Sequence, residues 1–255
     1  MRTPCLVVST FVVAFATAML AACQTLDTPE SSAVYDISDF LRVASSDSVD
    51  VILKRGPFSV TANSSNSSFD ELVLERRGDT LVAGTRSIGW FRRMPHFTVT
   101  VSAPAYSGFA ASSSSSIRGE NLSATNVDVK SSSSAEVVLG GLSGTLRIAT
   151  NSSGSVKATD LILTDVDVIA SSSSDIMLSG VCSQLSVSVS SSAEFGGADL
   201  RCQTVTARAS TSGQADVWAS TAARGVASES GSVLVRGQPG AFDKETSTSG
   251  SVRQF

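Results

Sequence analysis

The chain has 255 residues, a formal net charge of −4 and a pI near 5.0. It has no Lys/Arg-rich block, which argues against a nucleic-acid partner. Ser and Gly are abundant and aromatics make up only 6%, yet 42% of residues are apolar and they alternate with polar ones, which excludes disorder over most of the chain.

Residues 1–22 read as a targeting segment and not as part of the fold. Arg2 supplies a positive charge, and Cys5 to Leu20 is an apolar stretch shorter than a typical membrane-spanning helix. It ends in Leu20-Ala21-Ala22-Cys23, which resembles the lipobox of bacterial lipoproteins: an apolar residue, two small ones and a cysteine. The resemblance implies lipidation of Cys23, with each buried CH₂ contributing ~0.8 kcal/mol to a membrane anchor. Gln24, where an Asp would signal retention, implies passage to the outer membrane, on its periplasmic or its outer side. Residues 23–33 then form the lipidated Cys and a polar tether without apolar periodicity.

Residues 34–105 read as irregular β coils or a cap. Val34–Val60 alternates as two strands around the turn Arg55-Gly56-Pro57, and Asn63–Ser68 is a polar turn. Leu72–Leu74 and Leu81-Val82 flank a hairpin or coil corner that contains Arg77-Gly78-Asp79, a triplet read here as a turn and not as an integrin ligand. Trp90, Phe91, Arg92 and Arg93 form the one aromatic and basic cluster, just before the single histidine, His96. This cluster reads as a cap or core corner, or, if exposed, as an interaction segment. Phe97, Val99 and Val101 alternate as a further strand.

Residues 106–255 repeat one phrase: a small residue, serines, Gly or Ala, then a β-branched or aromatic residue. Taking Ser115, Ala135, Gly154, Ser174, Ala193, Gly213, Gly231 and Gly250 as anchors, the steps are 20, 19, 20, 19, 20, 18 and 19 residues. Such a period signals a solenoid. Apolar columns fall at fixed offsets. They include Val127, Leu146, Val166, Leu185 and Val205, then Phe109, Val129, Ile148, Val168 and Val187, then Ile117, Val137, Val156, Ile176 and Phe195. A fourth column, Leu122, Leu142, Leu161, Val181 and Leu200, marks a second corner, with Asn121, Asp160 and Asp199 as turn formers. Glycine at Gly154, Gly213, Gly231 and Gly250 is expected to supply positive φ at the Ser/Gly corner. Asp128, Lys130, Arg147, Asp167, Ser186, Ser188, Thr206 and Arg208 point outward with mixed sign, as on a solvated face. The reading is all-β: a parallel β-helix of ~19–20-residue coils, right-handed by default.

Cys182 and Cys202 lie 20 residues apart, one repeat, and each stands 11 residues before the next anchor. Stacked strands are ~4.8 Å apart, which suits a disulfide between neighbouring coils in an oxidising compartment. Without a third or fourth soft ligand nearby, metal binding by the pair is the weaker reading, and no cofactor is implied. No catalytic residue is assigned. Asp175 and Glu194, each one residue after an anchor, are the best acidic pair on offer for polysaccharide-cleaving chemistry, and also read as solvated corner residues.

Phe97–Ala105 followed by period-20 phrases, with the closing Gly154-Ser155-Val156, Gly231-Ser232-Val233, Gly237-Gln238-Pro239 and Gly250-Ser251-Val252, resembles the head GIN domain family of auto-transporter adhesins from about Tyr35 to Phe255. The chain departs from the pattern by replacing many motif glycines with serine, as in Ser112–Ser116 and Ser171–Ser174. The resemblance implies a right-handed β-helix in the cell envelope and no established catalytic residue. The expected function is that of a non-catalytic lipoprotein presenting the solenoid for adhesion, with an envelope protein or a glycan as partner. Polysaccharide cleavage and a periplasmic structural or sensing role are the alternatives.

Overall fold

The computed structural model describes residues 31–65, 68–86 and 96–255. Among these the chain is all-β, with 69% of it in strands. It winds as a parallel β-solenoid of about seven turns, with coils about 20 residues apart. No helix among the described residues is long and apolar enough to cross a membrane.

The Ser-rich corner is a stacked tight turn. Two consecutive residues take positive φ in each coil: Ser113 and Ser114, Ser133 and Ser134, Ser152 and Ser153, and onward to Thr248 and Ser249. Positive φ at both central residues is the pattern of a type I′ turn. The closing bond runs from the anchor N–H to the carbonyl three residues earlier, as in Ala135 to Ser132 at 3.1 Å and Gly213 to Ser210 at 2.8 Å. The second turn residue also donates to the next coil, as in Ser114 to Ser133 at 3.0 Å and Ser192 to Thr211 at 3.1 Å. The ladder therefore continues around the corner and leaves few backbone groups unpaired.

The expected role of the anchor glycines is corrected. Gly154, Gly213, Gly231 and Gly250 are absent from the positive-φ set; serine, threonine and acidic residues adopt that conformation instead. The anchor points inward, against the coil behind it. A Cβ on Gly231 would stand 2.3 Å from the Ala209 carbonyl oxygen, so glycine there answers to close approach. Where the anchor is serine, its hydroxyl is buried and paired: Ser115 Oγ donates to the Ser45 carbonyl at 2.9 Å, and Ser174 Oγ accepts from Thr150 Oγ1 at 2.9 Å.

Each regular coil enters through one strand, turns at the Ser corner and leaves through another. The successive elements are β8 (Gly108–Ala111), β9 (Ser116–Gly119), β10 (Ala124–Ser131), β11 (Glu136–Gly140) and β12 (Leu142–Thr150). Long strands that run through the second corner follow: β13 (Ser155–Ala170), β14 (Asp175–Val189), β15 (Glu194–Ala209) and β16 (Gln214–Ala227). The stack closes with β17 (Ser232–Arg236), β18 (Ala241–Thr246) and β19 (Ser251–Gln254). Equivalent residues superpose: Val156, Ile176, Phe195, Ala215, Val233 and Val252 form one parallel column of cross-coil partners. All of these are buried, each large side chain adding about 1.5–3 kcal/mol of transfer free energy. One column needs correction. Val181 is 49% exposed, and the stack runs Leu161–Gly180–Leu200, because a Cβ on Gly180 would meet the Leu161 carbonyl oxygen at 2.3 Å. The inward residue is instead Cys182, paired in register with Cys202 and joined to it by a disulfide with Cα atoms 4.4 Å apart. Closing a loop of this size contributes ~3 kcal/mol in the chain-entropy account.

The first strands stack out of chain order. They are β1 (Ser31–Tyr35), β2 (Arg42–Ser45), β3 (Val49–Arg55), β4 (Ser59–Ser64), β5 (Leu72–Arg77), β6 (Thr80–Thr85) and β7 (Phe97–Ala103). Val34–Val60 thus holds more strands than the two expected. The β2–β3 coil is enclosed between β6–β7 on one side and β8–β9 on the other, all parallel. Its corner, Asp47-Ser48, has the same double positive φ, and Ser48 N–H donates to Ser113 at 3.1 Å. Beyond β6–β7 the direction reverses: β5 pairs antiparallel with β6, and β4 with both β7 and β1. The Arg77-Gly78-Asp79 triplet is the β5–β6 hairpin turn, with Gly78 at φ 64°. Tyr106 pins the crossover from β7 to β8; its buried hydroxyl lies 2.7 Å from the Lys54 carbonyl and 3.1 Å from that of Val101.

Candidate functional site

The solenoid has two long faces. One carries β1, β4, β7, β3, β9, β11, the first halves of β13–β16, then β17 and β19. The other carries β5, β6, β2, β8, β10, β12, the second halves of β13–β16, then β18. Because side chains alternate along a strand, the outward residues form columns running along the axis. On the second face three such columns flank the buried Leu146–Val166–Leu185–Val205 and Ile148–Val168–Val187 rows.

A groove of about 600 Å³ lies on this face. Thr145, Asp165, Gln184 and Thr204 form one wall column, and Arg147, Asp167, Ser186 and Thr206 the next, with Arg208 at the rim. A second depression of about 320 Å³ shares Thr204 and Thr206 with it and continues past Ala222 and Ala241 to Phe242 and Asp243. Together they run along the solenoid axis from β12 to β18. A bulge between Gly144 and Thr145, where Asn126 Oδ1 accepts from the Thr145 N–H at 3.1 Å, lies at one end of the wall.

The groove's charges are arranged unevenly. At the β10–β12 end, Arg42 pairs with Asp128 at 3.3 Å, and Arg147 approaches the same carboxylate at 3.9 Å. At the β18 end, Arg224 pairs with Asp243 at 3.1 Å and Glu245 at 3.0 Å. Between them, Asp165, Asp167, Gln184, Ser186, Thr204 and Thr206 make no side-chain hydrogen bond or ion pair with any described residue. The lining holds two Asp and two Arg, a formal charge of zero. Of these residues, sequence reasoning placed Arg147, Asp167, Ser186, Thr206 and Arg208 outward but read them as a featureless solvated face. It missed Thr145, Asp165, Gln184 and Thr204, which stand nine residues before Gly154, Ser174, Ala193 and Gly213; that fixed offset was the available signal.

At the second corner, an outward column runs Ile162, Val181, Arg201, Trp218 and Arg236. The Arg201 guanidinium lies 4.7 Å from the Trp218 ring and that of Arg236 5.5 Å from Phe255. Arg236 also grips the Asp216 carboxylate at 2.7 Å, and the hydrogen bond and charge of Asp216 push its pKa up. Sequence reasoning did not single out this ribbon.

The acidic pair is brought together: Asp175 and Glu194 are direct partners across neighbouring coils on the first face, beside the Ser corner. Burial pushes the Asp175 carboxyl up from its ordinary value, against an opposing hydrogen bond from the Ile176 backbone, and its Oδ1 is buried without a hydrogen-bond partner among the described residues. His96 Nε2 lies 3.1 Å from the Asp50 carboxylate, which also accepts from Ser116 Oγ at 2.5 Å. The carboxylate thus stands between hydroxyl and imidazole, which is not the order that activates a serine. No group of three or more His, Cys, Asp or Glu among the described residues could hold a metal ion. Cys23, Trp90, Phe91, Arg92 and Arg93 lie outside the described residues.

The family model described as "Putative auto-transporter adhesin, head GIN domain" matches residues 39–239. That span crosses from the out-of-order strands into the regular coils without a break. Among solved structures, a "putative lipid binding protein" from Parabacteroides distasonis aligns with TM-score 0.76 at 19% identity, covering 90% of this chain and 98% of its own. A "putative adhesin" from Parabacteroides merdae aligns with TM-score 0.78 at 13% identity, covering 90% and 97%. Another from Bacteroides fragilis aligns with TM-score 0.63 at 14% identity, covering 89% and 98%. At these identities the likeness concerns the fold. No curated protein matches the sequence.

Proposed function

The chain belongs to the family of auto-transporter adhesin head GIN domains, and from that premise we propose that it is a non-catalytic lipoprotein of the bacterial cell envelope. In this reading lipidated Cys23 and the tether to residue 33 hold the solenoid at the outer membrane. The solenoid then presents its long faces to an envelope protein or a glycan. The observation that carries the reading is the groove of the second face, whose central polar side chains make no side-chain hydrogen bond or ion pair with any described residue. A structural role alone leaves that groove without a purpose.

The test is made on cells. Membrane fractionation should find the parent protein in the outer membrane and a Cys23→Ala variant released. Protease added to intact cells should degrade the parent, and cells lacking it should adhere less. A Cys23→Ala protein that stays membrane-bound removes the anchor. Adjacency of Asp175 and Glu194 is the observation that favours the rival, polysaccharide cleavage. Reproducible shortening of acidic polysaccharides, with or without calcium, that is abolished by Asp175→Ala would replace the proposal with that rival.

A further inference from the structure

We propose that the groove of the second face binds an uncharged linear polysaccharide lying along the solenoid axis, an inference that rests on the interaction role above and narrows it to one ligand class. Three observations select the occupant. The groove crosses the rungs from β12 to β18, about five steps of ~4.8 Å, so it suits an extended polymer better than a compact molecule. From β12 to β16 its floor belongs to strands paired on both sides, so a peptide strand could add only at the outer edge of β18, beyond the groove's end, and not along the groove. The lining sums to zero formal charge, Arg147 and Arg224 stand against Asp128 and against Asp243 and Glu245, and the remaining Arg208 at the rim is outnumbered by Asp165 and Asp167, so no net positive field draws a polyanion.

What remains free is hydrogen-bonding capacity suited to hydroxyl groups. Asp165 and Asp167 accept, while Gln184, Ser186, Thr204 and Thr206 both donate and accept. These side chains recur along the groove at the coil spacing, so a polymer of repeating hydroxyls meets a repeating partner. At the β18 end Phe242 continues the inward Leu185–Val205–Ala223 column and packs against the core, so the groove offers polar side chains and no aromatic platform. Repeating hydroxyl, amide and carboxylate groups in a groove without net charge form the complement of a neutral glycan.

The experiment uses the full chain in detergent micelles, run by affinity electrophoresis through gels containing mixed-linkage β-glucan, galactomannan or arabinoxylan, with alginate and dextran sulfate alongside. At least one neutral polymer should retard the protein, and 0.5 M NaCl should leave that retardation unchanged. The double variant Asp167→Ala/Gln184→Ala, whose side chains are exposed and unpaired among the described residues, should melt as the parent does and lose about tenfold in affinity, roughly one to two lost hydrogen bonds. Ser186→Trp, which fills the groove, should abolish retardation. Retardation by no neutral polymer, parental affinity in both variants, or salt-sensitive retardation by the polyanions alone would each overturn the proposal. Cells carrying the two variants should adhere less than the parent strain. If they adhere as the parent does, the interaction role stands and the glycan groove falls.

Discussion

The coils from β10 onward and the coil of β2–β3 share one corner and one core, yet they are held in different ways. In the regular stack each coil meets the coils one repeat away, as Ile176 meets Phe195 and Val156. In the first part Arg42 pairs with Thr80 on one side and with Gly108 on the other, 38 and 66 residues away in sequence. A stack of sequence neighbours can lose coils from its open end, because each interface is nearly independent. The enclosed coil cannot leave without unseating both neighbours. The regular stack also ends openly: β18 is exposed along most of its length, with Lys244 following the inward column of Val168, Val187 and Ala207. The first part ends in antiparallel strands folded back on the stack. The difference is one of cooperativity. One region is a chain of coils, the other a clasp.

The strongest test removes equivalent aromatic groups from each. Phe97 and Phe195 are both fully buried. Each change to alanine should cost about 3–5 kcal/mol. The total loss should be similar but its distribution should differ, as read by hydrogen exchange. Phe97→Ala should lower protection across β2, β3, β7 and β9 together. Phe195→Ala should lower it from β14 toward β19 while the amides of β3 and β7 keep theirs. Uniform loss in both variants would show one cooperative unit and remove the distinction.

The same contrast decided what could be seen in the sequence. From Phe109 onward the period, three of the four apolar columns and the Cys182–Cys202 pairing follow from spacing alone, because each coil stacks on its sequence neighbour. The β2–β3 corner carries the same phrase, Ala44-Ser45-Ser46-Asp47-Ser48-Val49, but stands 66 residues from its stacking partner, as Ser45 pairs with Ala111, so no fixed period reveals it. The fourth column failed at Val181 because Gly180, lacking a side chain, keeps the stacking place and leaves no hydrophobic mark. The groove was half legible. Its outward columns are periodic, but a polar column looks alike whether it lines a groove or a convex surface, and the register shift between Gly144 and Thr145 at its end leaves no mark in the spacing.

The crossover that encloses the β2–β3 coil has its own pH signature. Burial pushes the Tyr106 phenol up to about 12 from an ordinary 10.0. The folded protein therefore holds this proton through a pH range in which the unfolded chain releases it. The stability involved is fully present below pH ~10 and is lost as pH rises toward ~12. Tyr106→Phe should cost about 1 kcal/mol at neutral pH through loss of the single O–H donor, whose nearer acceptor is the Lys54 carbonyl at 2.7 Å. It should also flatten the decline between pH 10 and 12. Tyr35, raised by burial as well, remains in both proteins and sets the baseline. Urea midpoints against pH for the two proteins make the measurement. An equal decline in both would place the alkaline sensitivity outside the crossover.

The smallest expected effect asks whether the corner is the same object in both regions. Ser48 and Ser173 occupy the second turn position, at φ 63° and 60°. A non-glycine residue pays for that conformation, and asparagine enters it more readily than serine. Asparagine also avoids the unfolded-state entropy that glycine would add. Ser48→Asn and Ser173→Asn should therefore each stabilise by about 0.5 kcal/mol, the usual bound for a surface substitution. Both Ser48 and Ser173 donate their backbone N–H to the next corner, at 3.1 and 3.0 Å, and asparagine keeps that bond. Equal shifts in the melting midpoint would show that the clasp and the regular coils use one interchangeable turn. A gain at Ser173 with a loss at Ser48 would mean that enclosure between two neighbours strains the corner, so that the geometry is shared and the energetics are not.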